Sequence, residues 1–459
     1  MVARTLLALA SLGFLTACAF GGAQSIAQNA LPSAGQSAMA RPSAGNPASQ
    51  YVKHVVVIIQ ENRSFENFFS GFPGAYAPTY GYSKKPGHKP VMVHLHQTTF
   101  QTNPNLPHEW QDAITGWHKG KMDGFHTGPH GNFAAYAYVE RSQIAPYWAM
   151  AQQYVLADAM FPTEFGGSYT AHLTAVAGTD NMRRKVAQVN YPTHSPNDCD
   201  SPPGTRSSTI NSHRKVGRGN GPFPCFTQFN TMAEVLDGGK IPWKYYVTRH
   251  LNGGIWSPFE AIAYVRHGSD WDTDIIAPQT KVLTDIQSGQ LASVSWVTPS
   301  HPDSDHPGAH SDKGPSWVTS IVNAIGNSNY WNSTAIVIIW DDWGGWFDNA
   351  PPPQLDFRGL AIRVPCLIIS PYAKEGKSSQ GYVSHTLYEY GSILKFIEEV
   401  FNLPYIGPSS AGYTDERANS IVDSFDFTQQ PRKFTPFRAK YPASIFLHEP
   451  PSDEAVDTE

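Results

Sequence analysis

A chain of 459 residues, 41% hydrophobic and 15% charged, is long enough to bury a full core as one large domain with insertions. Its formal net charge of -5 offers no basic face of the kind nucleic acid requires. Composition therefore excludes a nucleic-acid partner and favours a small or membrane-derived one.

At the N-terminus Arg4 precedes an apolar stretch from Leu6 to Leu15, and small residues follow. This layout predicts an export signal over residues 1–19, too brief to span a bilayer as a mature helix. Leu15-Thr16-Ala17-Cys18 resembles a bacterial lipobox, in which Cys18 would be lipidated, whereas Ala17-Cys18-Ala19 also satisfies the small-x-small rule of ordinary cleavage. Periplasmic, extracellular and lipid-anchored fates all stay open. Residues 20–50, rich in Ala, Ser, Gly, Gln and Pro, are expected as a flexible tether. A catalytic domain is expected over 51–430 and a C-terminal tail over 431–459.

Two apolar runs then carry most of the information. His54-Val55-Val56-Val57-Ile58-Ile59-Gln60 ends in Glu61-Asn62, and Ala335-Ile336-Val337-Ile338-Ile339-Trp340 ends in Asp341-Asp342. Such β-branched runs read as strands buried on both faces of a parallel sheet, and ligands of such sheets gather beyond the carboxyl ends of the strands. If the two strands share one sheet and one sense, four oxygen-bearing side chains converge at one edge. They repel one another unless a cation lies among them, so Glu61, Asn62, Asp341 and Asp342 are candidate metal ligands. Two chance helix caps are the bland alternative.

Further strands are expected at 153–156, 293–297 and 364–369, and helices at 315–326 and 391–401; their alternation predicts an α/β fold. Segments near 71–135 and 185–275, rich in Gly, Pro, His and aromatics, read as long excursions above the sheet. Their aromatic residues Trp110, Trp117, Tyr136, Tyr138, Trp243, Tyr245, Tyr246 and Trp256 offer faces for a pocket wall that could bind a choline head group, although with 12% aromatics most must serve packing. Cys199 and Cys225 share one polar Pro/Gly-rich segment that they would staple in an oxidising compartment, and Cys366 reads as a buried core thiol.

Gly166-Gly167-Ser168, followed by a helix-compatible stretch, places a hydroxyl at a helix N-terminus, where backbone N–H groups and the dipole attract an anion. Ser168 there either caps the helix or acts as a nucleophile, and the second role needs an activator such as the metal of the acidic doublets. Thr170 breaks the Gly-x-Ser-x-Gly pattern of the α/β-hydrolase elbow. Beyond the strand at 293–297 lie His301, His306 and His310, and His108 precedes a separate polar segment. Imidazoles can bind metal, and imidazolium ions can hold phosphate oxygens or protonate a leaving group.

Taken in order, Glu61-Asn62-Arg63-Ser64-Phe65-Glu66, Lys121-Met122-Asp123-Gly124-Phe125, Gly166-Gly167-Ser168, Asp305-His306-Pro307, Asp341-Asp342-Trp343-Gly344-Gly345-Trp346-Phe347-Asp348 and Val364-Pro365-Cys366-Leu367-Ile368-Ile369-Ser370-Pro371-Tyr372 resemble the bacterial phosphoesterase family of phospholipases C and acid phosphatases. The resemblance implies an alkaline-phosphatase-like three-layer α/β core, with a mostly parallel central sheet, helices on both faces and loop excursions over the active-site edge. It implies one divalent metal ion held by Glu61, Asn62, Asp341, Asp342 and Ser168, with Ser168 also becoming phosphorylated. His306 resembles a histidine that holds the phosphoryl group, and His108 matches another; either is a candidate proton donor to the leaving alcohol.

The implied substrate is a small phosphomonoester or a phospholipid head group, with membrane association arising through that substrate or a lipidated Cys18. Many relatives continue the second doublet to Tyr-Asp-His, where this chain has Phe347-Asp348-Asn349. His385 sits in a family-like block without an evident role, and the roles of His301 and His310 are equally open. A catalytically inactive, surface-anchored lipid- or anion-binding protein on the same core is the alternative. A sulfatase-like reading would need Cys/Ser-x-Pro-x-Arg, which Ser168-Tyr169-Thr170-Ala171-His172 does not provide.

Overall fold

The computed structural model describes residues 47–126, 133–376 and 381–450. The expected signal with Cys18, the tether up to residue 46 and residues 451–459 lie outside the described residues. All described residues fall within the unit Ser37–Glu459.

A nine-stranded sheet forms the centre, in the order Ile275–Ile276, Trp243–Tyr246, Val294–Val297, His54–Gln60, Thr334–Trp340, Val364–Ile369, Val155–Phe161 and Tyr382–Ser384, with Tyr388–Glu389 also pairing with the Val155 strand. Every pairing is parallel except the two made by Val364–Ile369. Because that strand is reversed, the Val155 strand beyond it runs in the same sense as Thr334–Trp340. Both therefore release the chain at one edge of the sheet.

The two strands that end in acidic doublets are neighbours, with Gln60 opposite Trp340. All seven residues of Thr334–Trp340 are buried, so both faces of the sheet are covered. Each fully buried Val or Ile there contributes roughly 1.5–3 kcal/mol. The helices divide into two packed sets. Ala145–Gln153, Lys281–Ser288, Gly314–Gly326 and Ala443–Leu447 contact one another, and Ala48–Tyr51, Ser168–Ala177, Met232–Gly239 and Tyr390–Phe401 form the second set. This is the expected α/β arrangement. The helices expected at 315–326 and 391–401 form as Gly314–Gly326, with Pro315 in its first turn, and Tyr390–Phe401, opened by a capping box between Glu389 and Ser392.

Three elements differ from their sequence reading. The strand expected at 153–156 forms as Val155–Phe161, because pairing on both sides carries it through Ala157 and Asp158, residues of low strand propensity. The segment 185–275 holds a small antiparallel sheet, but from Met232 the chain rejoins the core and supplies two strands to the sheet edge. Trp243, Tyr245 and Tyr246 are thus buried core residues and not a pocket wall; a four-residue strand has no alternation to read. Finally, residues expected as a tail pack on the core. Phe446 is fully buried with its ring 5.4 Å from Trp317, and the Phe434 ring lies 5.0 Å from Trp331.

The segment 71–135 carries a hairpin, Tyr80–Ser83 with Val91–His94, and the helix Trp110–Trp117. Both sit over a second apolar cluster that includes Trp110, Phe125, Tyr136, Trp343, Trp346 and Phe347. Cys199 and Cys225 form a disulfide, and Cys366 is a buried free thiol.

Candidate active site

The doublets meet because the ladder continues one residue past the strands: Asp341 N donates to the Gln60 carbonyl at 2.9 Å. Asn62 then turns with a φ of 56°, a left-handed conformation that Asn tolerates better than most residues. Its backbone N–H donates to Asp341 Oδ1 at 2.8 Å. Gly344, at φ +60°, lies where a Cβ would approach the Asn62 carbonyl to 2.1 Å, so glycine there lets the loop after the second doublet close on the first. The Tyr390 hydroxyl donates to the Trp340 carbonyl at 2.7 Å. Burial, then the charges of Asp341, Asp342 and Glu61, hold that phenol well above its ordinary pKa.

The Val155 strand delivers Gly167 to the cap position and Ser168 to the first position of the helix Ser168–Ala177. Ser168 is therefore not the cap. Its Oγ donates to Asp342 Oδ2 at 3.2 Å and accepts from Asn62 Nδ2 at 3.3 Å. Asn62 Nδ2 also lies 2.7 Å from His108 Nε2 and 3.4 Å from Asp342 Oδ2. His108 Nδ1 donates to the Leu106 carbonyl at 2.6 Å, which leaves Nε2 as the acceptor in the neutral ring.

One turn along the same helix, His172 Nε2 lies 3.0 Å from Glu61 Oε1 and 3.9 Å from Asp341 Oδ2. Sequence reasoning did not nominate His172. The available signal was its spacing, since residues i and i+4 share a helix face. Glu61, His172 and Asp341 each present a ligand atom within 4.8 Å of the others, and all three are buried. Asp341 Oδ2 and Asn62 Oδ1 are buried without a hydrogen-bond partner among the described residues. Three carboxylates buried together call for a cation or for protons. The mixed imidazole and oxygen donor set fits a divalent first-row ion better than the all-oxygen cage of Mg²⁺ or Ca²⁺.

His306 enters from the turn after Val294–Val297. Its Nδ1 accepts from Gly308 N at 3.1 Å, which places the proton of the neutral ring on Nε2. The ring lies 6.4 Å from that of His108 and 5.9 Å from Trp256, whose indole stacks at 6.5 Å on His172. Arg63 fastens this turn to the first doublet: its Nε donates to the Asp305 carbonyl at 2.7 Å and its Nη1 to Asn67 Oδ1 at 3.2 Å. The Asp305 carboxyl accepts from the Tyr147 hydroxyl at 2.8 Å and Trp340 Nε1 at 2.9 Å. Burial pushes that carboxyl up to about 7 and pushes the Arg63 guanidinium down to about 9.

Glu61, Asn62, Asp341, Asp342, Ser168, His108 and His306 thus come together, and His172 joins them. His301 lies beside them, its ring 5.5 Å from His306. His310 is exposed on a left-handed residue, and His385 Nδ1 pairs with Asp158 at 2.9 Å. Asp348 accepts from Arg363 Nε at 3.0 Å and Asn349 Oδ1 from Arg363 Nη2 at 3.1 Å, so the Phe347-Asp348-Asn349 departure falls on a brace. In Lys121–Phe125 the contribution is packing, with Phe125 against Trp343 and Phe347.

The profile of the Phosphoesterase family matches residues 52–404. The chain is 25% identical over 462 residues to the non-hemolytic phospholipase C of Pseudomonas aeruginosa, an alignment covering 88% of this chain and 61% of that protein. It is 24% identical over 500 residues to phospholipase C A of Mycobacterium tuberculosis, covering 95% of this chain and 89% of that one. Against the non-hemolytic phospholipases C of Pseudomonas aeruginosa and Burkholderia pseudomallei it spans about three fifths of their length. Among solved structures, a protein in the alkaline phosphatase superfamily from Vibrio parahaemolyticus aligns over 78% of this chain and 69% of that chain, with a TM-score of 0.37 and 12% identity. With the family profile spanning most of its length, the chain belongs to the Phosphoesterase family.

Proposed function

We propose that this chain is an exported, metal-dependent phosphoric ester hydrolase that works through a phosphoseryl intermediate on Ser168. One observation carries the reading: the buried Ser168 hydroxyl, at a helix N-terminus, donates to Asp342 Oδ2 at 3.2 Å beside a buried cluster of carboxylates and imidazole. Glu61, His172 and Asp341, with Asn62 Oδ1 and Asp342 adjoining, would hold one divalent ion. Such an ion, when bound, acidifies a neighbouring hydroxyl and offsets charge on phosphoryl oxygens.

The residues divide the remaining work. Asp342 Oδ2 takes the Ser168 proton as Oγ bonds to phosphorus and the bond from phosphorus to the leaving alcohol breaks. Asn62 Nδ2, oriented by His108 Nε2, fixes the line of attack. The His306 Nε2–H donates a hydrogen bond to the departing alkoxide, which takes up the proton that Asp342 received. Water, giving a proton to Asp342, then attacks phosphorus; the bond from phosphorus to Oγ breaks, Oγ takes that proton back and the phosphate product leaves.

Relatives that carry the name phospholipase C support phospholipids, beside small phosphomonoesters, as the substrates to test first. The export signal expected over residues 1–19 and the Cys199–Cys225 disulfide support an oxidising, exported location. The test is a panel of p-nitrophenyl phosphate, p-nitrophenylphosphorylcholine and phosphatidylcholine, run on the wild type and Ser168→Ala after chelation and metal add-back. Ser168→Ala should lose at least about 1,000-fold in kcat, and metal should restore only the wild type. Wild-type activity on none of the three, or full activity of Ser168→Ala, would end the reading; an inactive wild type that still binds vesicles would favour the capture protein.

A further inference from the structure

The hairpin of Tyr80–Ser83 and Val91–His94 takes no part in the chemistry above, yet its two faces are unlike. The inner face is anchored. A Cβ on Gly81 would meet the Phe347 ring at 2.2 Å, the Tyr82 carbonyl accepts from the Tyr136 hydroxyl at 2.7 Å, and Lys84 N donates to the Asp123 carbonyl at 2.8 Å. The outer face is left to solvent. In register Tyr80 lies opposite His94 and Tyr82 opposite Met92, so these four share one side of the ribbon. Tyr82 and Met92 are 51% and 54% exposed, and the Tyr80 ring lies 6.2 Å from those of both Tyr82 and His94. Scattered exposed apolar residues are ordinary, whereas a paired row on one firmly anchored face marks an interaction surface.

The charge of the segment identifies the partner. Between Glu66 and Glu109 the sequence contains no Asp or Glu, while the turn of the hairpin carries Lys84, Lys85, His88 and Lys89, in a chain of formal net charge -5. His88 and Lys89 are exposed at its tip. Tyrosine rings favour the level of lipid head groups, and a cluster of lysines beside them favours an anionic leaflet. No helix among the described residues is long and apolar enough to cross a membrane.

We propose that this hairpin is a peripheral docking element that seats on an anionic lipid surface. Its inner face packs on Phe347, in the loop that follows Asp341 and Asp342, so docking holds that loop layer close to the bilayer. The inference rests on the hairpin alone and stands whether or not the chain hydrolyses phospholipid.

The test is sedimentation with vesicles of phosphatidylcholine alone and of phosphatidylcholine mixed with phosphatidylglycerol. The exported chain is used with Cys18→Ser throughout, so that no acyl chain at that position holds it to lipid. The expected result is binding to the anionic vesicles that weakens with salt and is much weaker on phosphatidylcholine alone. Lys84→Gln/Lys85→Gln/Lys89→Gln should weaken it about 100-fold at low salt. Tyr80→Ser/Tyr82→Ser/Met92→Ser should weaken it about tenfold. Both variants should keep the wild-type thermal midpoint and the wild-type rate on soluble p-nitrophenyl phosphate. Failure of the parent chain to bind anionic vesicles, or binding unchanged in both variants, overturns the proposal. So does a hairpin whose substitution abolishes self-association while vesicle binding is absent, which would make its partner a second copy of the chain.

Discussion

Asn62 Nδ2 lies 2.7 Å from His108 Nε2, and the same amide reaches Ser168 Oγ at 3.3 Å. Since His108 Nδ1 is committed to the Leu106 carbonyl, the ring is held as an acceptor facing Asn62. His108→Ala and Asn62→Ala should each lower kcat about 100-fold on p-nitrophenyl phosphate, and the double variant should cost little more than either alone because the two act as one unit. Steady-state kinetics on the three variants checks this.

His306 presents its Nε2 proton because Nδ1 accepts from Gly308 N. If the hydrogen bond from that Nε2–H offsets charge on the leaving oxygen, the loss in His306→Ala must depend on how much help the leaving group needs. The expected loss is about 1,000-fold for an alkyl phosphate and about tenfold for p-nitrophenyl phosphate. Equal losses on both substrates would remove His306 from this role.

His172 completes a buried three-residue cluster with Glu61 and Asp341. Metal titrated into the chelated wild type should raise its stability by about 3 kcal/mol at a concentration 100-fold above Kd. His172→Ala should bind the ion at least about tenfold more weakly. Metal content by mass spectrometry and the thermal shift on metal addition are the measurements, and neither needs activity.

Burial holds the Asp305 carboxyl at about 7, above its ordinary value of 3.8. Between these values the unfolded chain has released a proton that the folded chain keeps, so this group makes stability fall as pH rises, by about 1.4 kcal/mol per pH unit, and levels off above about 7. Asp305→Asn keeps an acceptor for Tyr147 and Trp340 and should lack this slope. Urea unfolding of both proteins from about pH 4.5 to 7.5 measures the difference, which must change sharply with pH.

The Cys199–Cys225 bridge closes a separation of 26 residues, and loop-closure entropy assigns it about 3.5 kcal/mol. Cys199→Ala/Cys225→Ala should lose about that much in equilibrium unfolding. Reducing agent should affect the wild type and leave the double variant unchanged.

Much of this molecule was legible as sequence because burial on both faces is written locally. The runs at His54–Gln60 and Thr334–Trp340 are apolar at nearly every position, and their ends name Glu61, Asn62, Asp341 and Asp342. Gly166-Gly167 before an apolar stretch likewise marks Ser168 as the opening of a helix. Where local pattern fades, so does legibility: Trp243–Tyr246 is too short to alternate, and Phe446 is fully buried against Trp317 and other core residues far away in the chain.

The sequence by itself determined which side chains stand at strand and helix ends, because residue type and period encode burial residue by residue. Only the tertiary structure decided that they meet. The reversed Val364–Ile369 strand brings the Val155 strand back into the sense of Thr334–Trp340, and this puts Ser168 at the same edge as both doublets. It also turned His172 from one more histidine into the neighbour of Glu61 and Asp341. Both outcomes depend on pairing between distant segments, whose free energy belongs to the assembled sheet and leaves no trace in any single window of the chain.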